Sequence, residues 1–184
     1  MIHGNMINAL DDFLSDLLTH LQSNRFADLA GTRVSARVPV SRALVNQFVA
    51  RALQAQQPPP PVRQVDIRPL DGDKLDALVT VTLPFVPPLK VALVIERQPQ
   101  FPASPVLVLR WSLLGGLGQL ISKIVSPHQK LPPGVRLDGD RILVDIPQAA
   151  AATPAAQFLG YIRGLEVHTV SDRLVLALDL EVSA

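Results

Sequence analysis

Two hydrophobic periods alternate along this chain, and their order predicts the fold. Ile7, Leu10, Leu14, Leu17, Leu18 and Leu21 recur at three- and four-residue steps, with Asp11, Asp12, Asp16 and Thr19 between them. That spacing predicts an amphipathic helix over about residues 5–23, with Asn5 or Asn8 as its cap and early aspartates suited to the positive end of its dipole. From Arg33 to Val40 the period falls to two, with Val34, Ala36, Val38 and Val40 opposing Arg33, Ser35 and Arg37, which predicts a strand. Ser41 then caps a second helix whose buried stripe is Leu44, Val45, Phe48, Ala52 and Leu53. Pro58 to Pro61 end it, because consecutive prolines neither continue a helix nor donate ladder hydrogen bonds; they predict a stiff spacer.

The stretch from Leu75 to Leu113 organises the rest. It holds five charged residues in 39 and is divided by six prolines. A strand over Val62–Leu70 turns at Asp71-Gly72 into a second, in which Leu75, Ala77, Val79, Val81, Leu83 and Phe85 share one face. Eleven residues at about 3.3 Å each make this strand roughly 35 Å long, with Pro84 marking its far end as an edge or a bulge. Leu89, Val91, Leu93 and Ile95 repeat the pattern, and Val106 to Trp111 is a third run, apolar on both faces except for Arg110. The spacing turns helical again over Leu113, Leu114, Leu117, Leu120, Ile121, Ile124 and Val125. A hairpin over 135–146 turns at Asp138-Gly139-Asp140, Thr153-Pro154 starts another short helix, and a last hairpin over 165–182 turns at Ser171-Asp172-Arg173. The order predicts an α+β fold: a long, strongly twisted antiparallel sheet, meander plus hairpins, wrapped around amphipathic helices. We read residues 1–184 as one domain, with an N-terminal helix over 1–24 and a sheet-and-helix body over 33–182.

Composition narrows the chemistry. With eight aromatics in 184 residues, the core must be built from Leu, Val, Ile and Ala. The net charge of +1 supplies no global field for an anionic partner. Seven arginines stand against two aspartates between residues 25 and 68, but almost no aromatics are interleaved as a base-stacking platform needs, so no nucleic-acid partner is expected. The absence of cysteine removes disulfides, thiolate chemistry and cysteine-based zinc sites. No apolar window is long enough to span a bilayer, and Asp11, Asp12 and Asp16 precede the first basic residue, Arg25, so no signal peptide is read and a cytoplasmic protein is expected, with peripheral membrane contact left open. His3, His20, His128 and His168 lie in separate segments without HExxH spacing, and no GxSxG occurs. Gly115 to Gly118 lack the Lys-Ser/Thr of a phosphate loop, and Asp138 and Asp140 lack the distal glutamate of a calcium loop. The expectation is a protein with no catalytic residues, metal site or cofactor, and not an enzyme.

The helix SRALVNQFVARAL after the strand TRVSARVPV, the paired strands LDALVTVTLPF and LKVALVIE, and LPPGVRLDGDRILVDI followed by GLEVHTVSDRLVLALDLEV together resemble the tubular lipid-binding (TULIP) superfamily. That superfamily includes the bactericidal/permeability-increasing-like proteins and small bacterial lipid-binding relatives, and the resemblance covers roughly Arg33 to Val182. It implies a long helix cradled in a curved antiparallel sheet and acyl chains held in an apolar groove. Burying an acyl chain is worth about 0.8 kcal/mol per CH₂, so about ten methylenes could gain roughly 8 kcal/mol before ordering costs, without leaving a polar motif in the sequence. The groove would draw on Phe48 of the second helix, Val79, Val81, Leu83, Val91 and Leu93 of the paired strands, and Leu117, Leu120, Ile121 and Ile124 of the helix that follows. Two functions fit these residues. One is non-enzymatic binding of a lipid or similar apolar molecule; the other is a structural or protein-interaction module, its core filled by side chains, that assembles with a second copy or a protein partner through the N-terminal helix and a sheet edge.

Overall fold

The computed structural model describes residues 27–56, 59, 61–83, 85–114, 131–151 and 153–182. A short 3-10 turn, Ala27–Leu29, leads into β1 (Arg33–Ser41) and α1 (Arg42–Gln54). The meander follows as β2 (Val62–Leu70), β3 (Lys74–Val81), β4 (Leu89–Arg97) and β5 (Val106–Leu114). The hairpin of β6 (Val135–Asp138) and β7 (Arg141–Asp145) comes next, then α2 (Ile146–Ala150), a 3-10 helix (Pro154–Tyr161), β8 (Ile162–Val170) and β9 (Arg173–Glu181). The fold is α+β and dominated by antiparallel pairing, in two sheets rather than one. Six strands lie in the order β2-β3-β4-β5-β7-β6 and three in the order β1-β9-β8. No helix among the described residues is long and apolar enough to cross a membrane.

Turn chemistry places the hairpins where the alternation breaks. Gly72 (φ 74°) and Asp73 (φ 59°) turn β2 into β3, Gly139 (φ 58°) turns β6 into β7, and Asp172 (φ 61°) turns β8 into β9. Each is a residue type that tolerates the left-handed region. The strand predicted to reach Phe85 stops at Val81. Thr82 still gives its N–H to the Pro61 carbonyl, at 2.8 Å, one rung beyond the Val62–Val81 pair, but Phe85 takes φ 64°, outside the extended region. Leu83 and Phe85 are consequently exposed. Leu113 and Leu114, predicted to open a helix, instead complete β5 by pairing with Val91 and Lys90. The helix predicted over 5–23, the remainder of the one predicted from Leu113, and most of the Pro58–Pro61 spacer lie outside the described residues.

Helix α1 begins as predicted, with Ser41 Oγ accepting the Leu44 N–H at 3.3 Å. Its rotation differs from the predicted stripe. Asn46 Oδ1 accepts the Ile67 N–H at 2.7 Å while Asn46 Nδ2 donates to the Ile67 carbonyl at 3.1 Å and to Asp66 Oδ1 at 2.8 Å. Arg42 reaches the other Asp66 oxygen at 2.8 Å. The side-chain amide thus closes the open edge of β2 as a neighbouring strand would. At 100° per residue, Arg42, Val45, Asn46 and Val49 share the face turned to β2, while Leu44 and Phe48 lie on the far side. Val45 is buried, and Phe48, expected inside, is 59% exposed.

The two sheets meet along a polar seam between the β2–β3 turn and the β8–β9 hairpin. Lys74 N–H donates to Thr169 Oγ1 (2.9 Å), Thr169 N–H to Asp73 Oδ1 (3.2 Å), and Ser171 N–H and Oγ to Asp71 (2.9 and 2.8 Å). These two donors hold the Asp71 carboxyl below its ordinary range. Gln98, just past β4, pairs with both the N–H and the carbonyl of Val167, again standing in for a strand. His168 lies at the same seam, with Nε2 3.1 Å from Glu166 and Nδ1 3.3 Å from Asp73. The Glu166 hydrogen bond first, and Asp73 after it, raise the imidazole pKa above its usual 6.5. A raised pKa means that the folded state binds the proton more tightly. The stabilisation His168 brings is therefore complete below about pH 6.5 and lost as pH rises through the folded value. The urea midpoint of the wild type should exceed that of His168→Gln at acidic pH, and the two should converge above neutrality; a constant difference across that range would remove His168 from the seam's energetics.

Candidate functional site

Strand register turns the period-two pattern into a continuous apolar wall. Across the six-stranded sheet, Val65 pairs with Val79 and Val79 with Leu89; Ile67 pairs with Ala77, Ala77 with Val91 and Val91 with Leu113; Leu75 pairs with Leu93 and Leu93 with Trp111. A further row runs from Ile95 through Leu109 and Ile142 to Leu137. Directly opposed residues project to the same face, so these rows stack into one surface. The intervening rows, Asp66-Leu78-Lys90 and Lys74-Val94-Arg110-Arg141, put charge on the opposite face. There Glu96 is held by Arg141 at 2.7 Å and Arg110 at 3.1 Å, and this pairing, Arg141 contributing most, lowers the Glu96 pKa to about 2.

On the apolar face lies a groove of about 470 Å³. Val65 and Ile67 of β2, Ala77, Val79 and Val81 of β3, Leu89, Val91 and Leu93 of β4, and Leu109 and Trp111 of β5 line it, with Val62 at the start of β2. Val135 and Leu137 of β6 and Ile142 of β7 extend it, and Val49 of α1 closes one side. Its volume falls within the range of roughly 300–1,000 Å³ typical of small-molecule sites. Among the described residues, none of the lining side chains is charged, and one, Trp111, carries a hydrogen-bonding atom. Two smaller clefts differ in character. One of about 280 Å³ is edged by Arg42, Asp66, Arg68, Asp76 and Lys90; the other, of about 400 Å³, by Ser35, Arg37, Glu166 and Asp179. Each is bordered by charges of both signs. Among the described residues no three His, Asp or Glu side chains converge as a metal site would require.

Of the residues named from the sequence, Val79, Val81, Val91 and Leu93 line this groove together. Phe48 does not: α1 turns Val49 to the groove instead, because Asn46 and Arg42 fix its rotation. Leu83 is 48% exposed beyond the end of β3 and is not among the lining residues. Leu117, Leu120, Ile121 and Ile124 lie outside the described residues. Sequence reasoning missed Val65 and Ile67, whose alternation in β2 was visible, and Leu109 and Trp111, whose strand is apolar on both faces. Comparison with protein-family models, curated proteins and solved structures gave no match.

Proposed function

We propose that this protein binds a lipid or similar apolar molecule, without catalysis, in the groove on the apolar face of the six-stranded sheet. One observation carries the reading: a groove of about 470 Å³ whose lining among the described residues is apolar except for the indole nitrogen of Trp111. Burial of about ten methylenes there would contribute roughly 8 kcal/mol before ordering costs, which is enough for binding without a headgroup contact. The resemblance to the tubular lipid-binding superfamily points to the same ligand class. In this reading the sheet curves about amphipathic helices. The competing reading is an assembly module, which needs the groove filled by side chains.

Solvent extraction of the freshly purified protein, followed by mass spectrometry, should release an apolar compound in near-stoichiometric amount. The protein stripped in this way should take up a fluorescent fatty-acyl probe. A clean extract together with refusal of both fatty-acyl and phospholipid probes would sink the proposal.

A further inference from the structure

Trp111 carries an unanswered donor. It is the one groove-lining side chain among the described residues with a hydrogen-bonding atom, and its Nε1 is the one buried side-chain nitrogen or oxygen among them with no partner. An indole N–H donates and cannot accept, so the missing group is an acceptor. The described residues around it offer none. Trp111 lies in β5, between β4 and β7, where it pairs across the ladder with Leu93; on its own face the neighbours are aliphatic. Water is a poor candidate, since a buried water needs two to four polar partners and Trp111 is the one lining side chain among the described residues with a polar atom. An oxygen tethered to an apolar body has no such requirement, because the rest of the molecule is satisfied by the aliphatic walls. Charge decides further. With no cation among the described lining residues, an ionised carboxylate seated there would be buried without a counter-charge from them, whereas a neutral carbonyl needs none.

Resting on the groove reading above, we propose that the ligand is a neutral acyl compound, an ester or ketone on an apolar chain, whose carbonyl oxygen accepts the Trp111 Nε1–H. Trp111 thereby selects carbonyl-bearing ligands over hydrocarbons, and the uncharged lining of the described residues disfavours fatty-acid anions. The nitrogen is sealed from solvent in the structure, so seating the carbonyl requires the indole to turn until its N–H meets the groove.

The test compares a long-chain methyl ester, the fatty-acid anion and the alkane of equal chain length, each against the wild type and Trp111→Phe. Phe keeps an aromatic ring and removes the N–H. The substitution should weaken the ester about tenfold, a loss of roughly 1.4 kcal/mol, and leave the alkane within about twofold. The anion should bind the wild type more weakly than the ester does. Because the chain has a single tryptophan, its emission reports this ring directly, and the ester should red-shift it in the wild type while the alkane does not. That arm needs no variant and stands even if Trp111→Phe folds poorly. Equal effects of the substitution on ester and alkane, with identical emission for both, would overturn the proposal while leaving the groove intact. If the wild type binds none of the three compounds, the groove reading fails, and this inference with it.

Discussion

Val79→Trp is expected to weaken uptake of an acyl probe by roughly fiftyfold while leaving the fold close to wild-type stability. Val79 lines the groove and is only partly buried, so an indole there projects into open volume. If it displaces about three methylenes of the occupant, the loss is about 2.4 kcal/mol, which corresponds to that change in affinity. Val81 on the same strand face provides the contrast. It is 5% exposed and packed with Leu89, Val86 and Leu113, so Val81→Trp should overpack that cluster and cost about 1–3 kcal/mol whatever the groove holds. Probe titration and urea unfolding of the two variants separate blocked binding from lost stability. A Val79→Trp protein that binds as tightly as the wild type would mean that the groove is not the site.

Gly134→Ala should be the most damaging single methyl addition among the glycines described. Gly134 precedes β6 with φ 79°, and a Cβ there would stand 2.6 Å from the Ala149 nitrogen and 2.7 Å from the Asp145 carbonyl oxygen. Both are backbone atoms, and Asp145 is tied to the same spot by its N–H to the Gly134 carbonyl at 2.7 Å. Strain from the left-handed conformation and the backbone collision together should cost about 3 kcal/mol, the upper end of ordinary point substitutions. Gly139→Ala controls for conformation alone. With φ 58° and open space around its Cβ, it should cost about 1–2 kcal/mol. Denaturant midpoints of the two variants would show the difference, and equal losses would exclude the collision. Because β6 brings Val135 and Leu137 to the groove, Gly134→Ala should also weaken probe binding.

What could be read in the sequence follows from which forces are local. Strict alternation in Leu75–Val81, Leu89–Ile95 and Leu174–Val182, and glycine or aspartate at the turns, specified the hairpins β2–β3, β6–β7 and β8–β9, because the side-chain period and the sign of φ are properties of consecutive residues. The end of β3 was misplaced because Leu83 and Phe85 continue the apolar alternation, while the backbone at Phe85 takes a left-handed φ of 64° that the alternation does not register. Phe48 was misassigned because Leu44, Val45, Phe48 and Val49 make both sides of α1 apolar, and the choice of side lies in hydrogen bonds from Asn46 and Arg42 to β2. Trp111 went unnamed because β5 is apolar on both faces, so only its register against Leu93 identifies the groove side.

By itself, then, the sequence determined the antiparallel strand-rich character, the helix start at Ser41, the turns and the aliphatic nature of the groove, since each depends on neighbours within a few residues. Tertiary structure alone decided that β1 pairs with β9 across almost the whole described chain, that β7 lies between β5 and β6, and that Val49 rather than Phe48 faces the groove. It alone decided, too, that the single tryptophan ends with its N–H unanswered in an apolar wall. Those outcomes depend on long-range pairing and on the satisfaction of polar groups between distant segments, and no local pattern encodes them.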